Sequence, residues 1–327
     1  MFGVEITGLG IYVPSRKITN FDLEKIMDTS DEWIYQRTGI KQRYVVENGI
    51  STSDLALAAS KIALEEARRK GVKDIDYIIL ATNSPDYLIP STSSVLQGKL
   101  GISAGTLDVF SGCTGFVYAL IVASSLIKSN LSKNVLLVGA EAISKYLDWQ
   151  DRTVSILLGD GAGAFVLSQT NDKDKGIIDS NVGTDGTLAE LIYIPAGGTK
   201  KPFDKKSLEE REVYIKMQGR EVFKKVVSIL PTEIKKLLDK NGLKPNDVDL
   251  YIFHQANIRI INTVVETLEI DKSRVYNNIE KYANTSAASI PIAFYEAYMN
   301  GLVKPGSIVL FSGFGAGFTW ANVLWKI

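Results

Sequence analysis

Asp74-Ile-Asp-Tyr-Ile-Ile-Leu-Ala81 and Asp247-Val-Asp-Leu-Tyr-Ile-Phe-His254 are variants of one phrase, an acidic turn running into a short apolar strand, and they stand 173 residues apart. About thirty residues beyond each phrase comes a turn that enters a helix. In the first case this is Ser111-Gly-Cys-Thr-Gly115 and in the second Asn284-Thr-Ser-Ala-Ala288, with Cys113 and Asn284 separated by 171 residues. The apolar strands Val135-Leu-Leu-Val-Gly139 and Ile308-Val-Leu-Phe-Ser312 follow, again 173 residues apart. One match of this kind arises by chance. Three in one register indicate a duplicated α/β unit with halves at 1–172 and 173–327.

Outward from these landmarks the chain alternates. Strands are predicted at Val4–Leu9, Tyr77–Ala81, Val135–Gly139, Gly163–Ser168, Leu250–Phe253, Ile308–Ser312 and Asn322–Trp325. Helices are predicted at Thr52–Arg69, Cys113–Lys128, Gly219–Lys240, Ile258–Leu268 and Ala287–Asn300. This is the pattern of layered α/β folds. A duplicated unit would put Cys113 and Asn284 at pseudo-equivalent helix starts, with His254 ending a strand beside them. Pseudo-twofold packing would bring all three to one cleft beyond the strand ends. The charged stretch Gly197–Arg211 reads as a solvated surface loop or lid between the repeats.

Composition removes several function classes. The chain has 327 residues, 45% of them apolar, with Lys+Arg and Asp+Glu both at 37. It can bury a large core, and it lacks the excess basic charge that nucleic-acid binding requires. The longest apolar run, about Gly115 to Ile127, falls short of the roughly 20 residues that cross a bilayer. The opening MFGVEITGLG has no basic segment leading into an apolar one, so no signal peptide is expected, and a cytoplasmic location is. Cysteine and histidine occur once each. A zinc site of Cys and His ligands needs three or four, and a redox pair needs a second thiol. The question left is whether Cys113 and His254 meet.

A thiol in Ser111-Gly-Cys113, just before an apolar helix, faces the orphan N–H groups and positive end of that helix, an arrangement expected to lower its pKa toward a thiolate. The bland alternative for a lone cysteine is a small buried hydrophobe. Glycines at 112 and 115 favour the strained turn of a nucleophile elbow. His254, read alone, is a satisfied structural histidine, and Asn284 a helix cap. Two glycine-rich stretches, Gly159–Gly163 and Gly313–Gly317, lack the dinucleotide pattern and any Walker lysine, and read as tight turns. The second could offer backbone N–H groups to a thioester oxyanion.

SGCTGF around Cys113, FHQANIR around His254 and YANTSAASIP around Asn284 resemble the β-ketoacyl-[acyl-carrier-protein] synthase III family. DTSDEWIYQRTGI around Trp33, GDGAGA at 159–164 and GFGAGFTW at 313–320 extend the resemblance along the chain in the same order. It implies the thiolase-like α/β fold, two five-layered αβαβα halves, as a homodimer. It implies decarboxylative condensation of an acyl-coenzyme A primer with a malonyl thioester on acyl carrier protein, with coenzyme A thioesters as substrates and no metal or other cofactor. Cys113 would carry the acyl group, while His254 and Asn284 hold the malonyl thioester. The backbone N–H groups of Cys113 and Ala316 would form an oxyanion hole. Trp33, Arg37, Arg152, Gly219 and Asn257 would bind coenzyme A. Gln255, Ala256, Asn257, Ile258, Arg259 and Lys224 would meet the carrier protein, and Leu88, Ile89 and Phe116 would line the acyl pocket.

The sequence departs from the family at two glycines: Ala316 replaces the middle of Gly-Gly-Gly, and Ala283 precedes the catalytic asparagine. Backbone donors survive such changes where the local φ is negative, and a positive φ would distort them. Chalcone-type synthases and condensing enzymes of secondary metabolism share the Cys, His and Asn set and remain alternatives. Papain-like peptidases share the order too, with the roughly 130–150 residue Cys-to-His spacing that the 141 residues here match. Their cysteine, however, lies near the mature N-terminus in a different local context.

Overall fold

The computed structural model describes residues 2–327. Two sheets form its frame. The first comprises β1 (Gly3–Tyr12), β2 (Tyr77–Ala81), β3 (Gly105–Val109), β4 (Asn134–Glu141) and β5 (Gly161–Thr170), in the order β1-β5-β4-β2-β3. The second comprises β6 (Gly176–Thr184), β7 (Leu250–Phe253), β8 (Ile308–Gly315) and β9 (Thr319–Lys326), in the order β7-β8-β9-β6. β2 runs parallel to β3 and β4, and β7 runs parallel to β8, while the remaining pairs are antiparallel. A lone parallel bridge from Tyr251 to Val275 lies beside β7.

The helices are α1 (Asp31–Thr38), α2 (Thr52–Arg69), α3 (Thr92–Leu100), α4 (Gly115–Lys128), α5 (Gly219–Lys240), α6 (Ile258–Thr267) and α7 (Ser289–Met299). α4 and α7 lie between the sheets. Their Phe116, Leu120, Ile290 and Phe294 share one core with Ile79, Leu137 and Phe165 of the first sheet and with Ile252, Phe311 and Val323 of the second. The opposite face of the first sheet packs on α2 and α3, and that of the second on α5 and α6. The result is five layers, α, β, α, β, α. Alternate residues of β2 serve different cores, Ile79 and Ala81 facing the middle helices and Ile78 and Leu80 the outer ones. Such two-sided burial is why the strand reads as an unbroken apolar run. Phe116, Phe165, Phe294 and Phe311 bridge the layers at successive centroid distances of 5.1, 5.2 and 5.2 Å. Each fully buried ring contributes about 1.5–3 kcal/mol.

The predicted strands and helices are all present, most of them longer or shorter by a few residues. Two strands of these sheets were not predicted, β3 and β6, and both are half-exposed edges whose apolar pattern is diluted; the short pairs Lys17–Thr19 with Gln42–Tyr44 and Ile192–Tyr193 with Lys216–Met217 were not predicted either. The predicted loop Gly197–Arg211 is pinned: it holds a short helix, Lys205–Glu209, buries Ser207, and pairs Arg211 with Asp148. Ala316 has no positive φ, whereas Ala283 lies at φ 57° and ψ −158°. Glycine occupies that region freely, and a Cβ there is strained by about 1–3 kcal/mol. Ala283→Gly is therefore expected to raise the free energy of unfolding by about 1 kcal/mol in urea titration. A drop in stability would contradict the strain.

Candidate active site

Cys113 sits in the turn between β3 and α4, two residues before the helix begins at Gly115. Gly112 turns the chain at φ 58°. A Cβ on Gly112 would lie 2.6 Å from Ala316 N, and one on Gly315 2.4 Å from Cys113 N. Both positions therefore need glycine, and the turn carrying the thiol lies directly against Gly313–Gly317, of which Gly313–Gly315 end β8 and only the rest is the turn expected from sequence; Gly161–Gly163 likewise begin β5. Thr114 Oγ1 and Thr319 Oγ1, 2.8 Å apart, fasten the two turns together.

His254 follows the last residue of β7 and is 1% exposed, its N–H donating to Ser312 O at 2.8 Å. Its Nδ1 lies 2.7 Å from Ser289 Oγ, which also accepts the Gln255 N–H at 3.3 Å. The serine hydroxyl can give its own proton to Nδ1, and the tautomer that accepts it carries the ring proton on Nε2. Phe314 meets the ring edge-on at 5.2 Å. Burial drives the imidazole pKa down to about 3. The ring is a neutral donor at physiological pH.

Asn284 does cap the following turn, its Oδ1 accepting the Ser286 N–H at 2.8 Å. The cap fixes the amide, so Nδ2 is left to donate elsewhere. Its backbone pairs on both sides, Asn284 N to Leu157 O at 2.9 Å and Gly159 N to Asn284 O at 3.0 Å. Ser286 Oγ in turn lies 3.3 Å from Cys113 Sγ. One short segment, 284–289, thus touches the thiol through Ser286 and the imidazole through Ser289.

The thiol differs from expectation. Burial pushes the half-buried Cys113 up to about 12, with the Ser286 hydroxyl opposing and the nearby Glu141 reinforcing that shift. Desolvation outweighs the helix start here. Cys113 bonds to Ser286 and His254 to Ser289, so no hydrogen-bonded Cys–His pair of the peptidase kind forms.

Elsewhere, the guanidinium carbons of Arg37 and Arg152 lie 4.5 and 5.1 Å from the Trp33 ring centroid. Asn257 caps α6 through Arg259 N–H and donates to Arg37 O at 3.0 Å. Gly219 starts α5, and Arg259 reaches from α6 over Phe223, next to exposed Lys224. Two groups of expected contacts are corrected. Gln255 and Ala256 are buried, with the Gln255 amide bonded to Phe253 O and Asn278 N–H, so neither presents a side chain to a partner. Leu88 and Ile89 are 82% and 88% exposed, whereas Phe116 lies in the core, so one chain does not join the three in a pocket. No cluster of metal-ligating side chains occurs among the described residues. The sequence reading passed over Ser286, Ser289 and Glu141. The first two stood inside YANTSAASIP, and the third was signalled by a lone charge ending an apolar strand.

Residues 107–186 match the family described as 3-oxoacyl-[acyl-carrier-protein] synthase III, and residues 238–327 match its C-terminal part. A relative from Caldanaerobacter subterraneus subsp. tengcongensis, a β-ketoacyl-[acyl-carrier-protein] synthase III, is 46% identical over 98% of this chain and 97% of its own. The chain belongs to the β-ketoacyl-[acyl-carrier-protein] synthase III family. Crystal structures of this synthase III type agree. That from Aquifex aeolicus has a TM-score of 0.88 at 43% identity, covering 99% of this chain and all of the other. That from Thermus thermophilus has a TM-score of 0.90 at 41% identity, covering 98% of each. The fold is accordingly the thiolase-like fold of the synthase III enzymes.

As the one histidine of the chain, His254 can be followed by NMR without assignment. Its ring signals are expected to hold the neutral position from pH 8 down to about 4.5. A midpoint near 6.5 would contradict the burial argument. Because the unfolded imidazole takes a proton that the folded one refuses, His254's contribution to stability is lost as pH falls from about 6.5 toward its folded value.

Proposed function

We propose that this protein is an acyltransferase that condenses an acyl-coenzyme A primer with malonyl-[acyl-carrier protein], giving a 3-oxoacyl-[acyl-carrier protein], carbon dioxide and coenzyme A, and so initiates fatty-acid synthesis. The observation that carries the reading is the single turn, 284–289, that joins thiol and imidazole within a chain 46% identical to a synthase III. Cys113 attacks the primer thioester. The N–H groups of Cys113 and Ala316 receive the oxyanion, a role supported by the close approach of their turns and by the absence of positive φ at Ala316.

His254 Nε2–H and Asn284 Nδ2–H then donate to the malonyl thioester carbonyl and stabilise the enolate that remains when carbon dioxide leaves. A neutral donor suits this step, since a protonated imidazole would quench the carbanion it must stabilise. The carbanion attacks the Cys113 acyl thioester and frees the sulfur.

Adenine would stack on Trp33, with Arg152 moving from that ring to cover the purine and Arg37 turning to the phosphates, and with Gly219 and Asn257 flanking the arm. Arg259 and Lys224, the latter now paired with Glu221 at 2.8 Å, would meet an acidic carrier protein, with Asn257 and Ile258 beside them. The halves 1–172 and 173–327 divide between β5 and β6. A homodimer is supported by the exposed Leu88, Ile89 and Phe110 beside the unpaired edge of β3. In a dimer Leu88 or Ile89 would close the acyl pocket of the partner subunit. No helix of the described residues is long and apolar enough to cross a membrane, in keeping with a cytoplasmic enzyme.

Radiolabelled acetyl-coenzyme A, or a longer or branched primer, is expected to label the protein, and Cys113→Ser to lose the label. His254→Ala and Asn284→Ala should each still be labelled while malonyl decarboxylation drops about 10²- to 10³-fold. Wild type that takes no label from any primer would overturn the reading.

A further inference from the structure

Ser286 Oγ donates to Cys113 Sγ across 3.3 Å, and the chemistry above gives it no part in the reaction. The direction of that bond is fixed from behind by Asn83 and Glu141. Oε1 of the buried Glu141 takes the backbone N–H groups of Asn83 at 3.1 Å and of Ala287 at 3.3 Å. A backbone N–H can only donate, so Oε1 is an acceptor, and the Asn83 side-chain atom 2.8 Å from it is the amide nitrogen. The second hydrogen of that nitrogen points at Ser286 Oγ, 3.0 Å away. The hydroxyl oxygen thus accepts from Asn83, and its own proton is left for the sulfur. Ser286 holds this place at a φ of 49°, a region glycine enters freely and a residue with a side chain does not. Strain of this kind persists where the surroundings over-determine it, and here Asn284 Oδ1 takes the Ser286 N–H at 2.8 Å. Of the charged groups, Glu141 bears on the thiol and opposes its ionisation, while the His254 ring is neutral.

We propose that Ser286 is a further catalytic residue, donating its hydroxyl hydrogen bond to Cys113 Sγ whenever the sulfur carries negative charge, with Asn83 as the positioning residue that aims it. The proposal rests on the acyl-transfer reading above. A thiolate is a strong acceptor and an acylated sulfur a weak one, so the bond is tightest when Sγ is charged, on attack and again on release. Ser286 keeps its proton throughout. The thiol proton goes to solvent, and Sγ attacks the primer carbonyl and bonds to its carbon. The coenzyme A C–S bond breaks with its electron pair on the coenzyme A sulfur, which solvent protonates. In condensation the new C–C bond forms and the Cys113 Sγ–C bond breaks with its pair on Sγ, which again faces the Ser286 hydroxyl and takes a proton from solvent.

Alkylation by iodoacetamide reads the thiolate directly, because Cys113 is the sole cysteine. Ser286→Ala is expected to alkylate about three- to tenfold more slowly than the wild-type protein at each pH between about 7 and 9. The direction is diagnostic, since trimming a side chain beside the sulfur opens it to the reagent and on packing grounds alone would speed the reaction. Ser286→Gly suits the positive φ and should fold even where Ser286→Ala does not, with the same slowing. Asn83→Ala should slow the wild-type protein by part of that factor and change nothing when combined with Ser286→Ala. Rates at or above wild type in Ser286→Ala and Ser286→Gly overturn the proposal. An Asn83→Ala effect that persists undiminished in the double variant overturns the part given to Asn83. No thioester is used, so failure here is distinct from failure of acetyl labelling.

Discussion

The hydrogen bond between Ser286 Oγ and Cys113 Sγ, at 3.3 Å, joins the two halves of the molecule at the point where chemistry occurs. Ser286 belongs to a turn whose Asn284 caps it and whose Ser289 reaches His254. Displacing that turn would disturb nucleophile, amide and imidazole together. It is held from behind as well. Gly139 has no Cβ because one would lie 2.4 Å from Ala287 O, and Asn284 is paired through its backbone to the segment Leu157–Gly159. The strained Ala283 immediately before it shows what the tight entry costs in local conformation.

Electrostatics divides the site. The imidazole, desolvated and set against the edge of Phe314, stays neutral and donates. The thiol, desolvated and beside a buried carboxylate, resists ionisation. These are opposite requirements for groups of one cleft, and they are met by different serines, Ser289 for the ring and Ser286 for the sulfur.

Much of this was legible in the sequence. The register linking Ala81 with His254 and Cys113 with Asn284 located the cleft, since strands buried on both faces carry their pattern in the residues themselves. Edge strands β3 and β6 did not, because pairing rather than burial defines them. At Cys113 burial outweighs the helix start, and that depth comes from packing by β4 and the 284–289 turn, which local sequence does not state. The burial of Gln255 and the protrusion of Leu88 and Ile89 are likewise products of tertiary packing.

The central claim is that the 284–289 turn supports two separable half-sites, one for the thiol and one for the malonyl carbonyl. Carbon dioxide release from a malonyl thioester by Cys113→Ala, alone and combined with Ser289→Ala, tests it most directly. The account predicts that Cys113→Ala still decarboxylates and that adding Ser289→Ala removes most of that activity. Decarboxylation that vanishes with the thiol alone, or that is indifferent to Ser289, would contradict it.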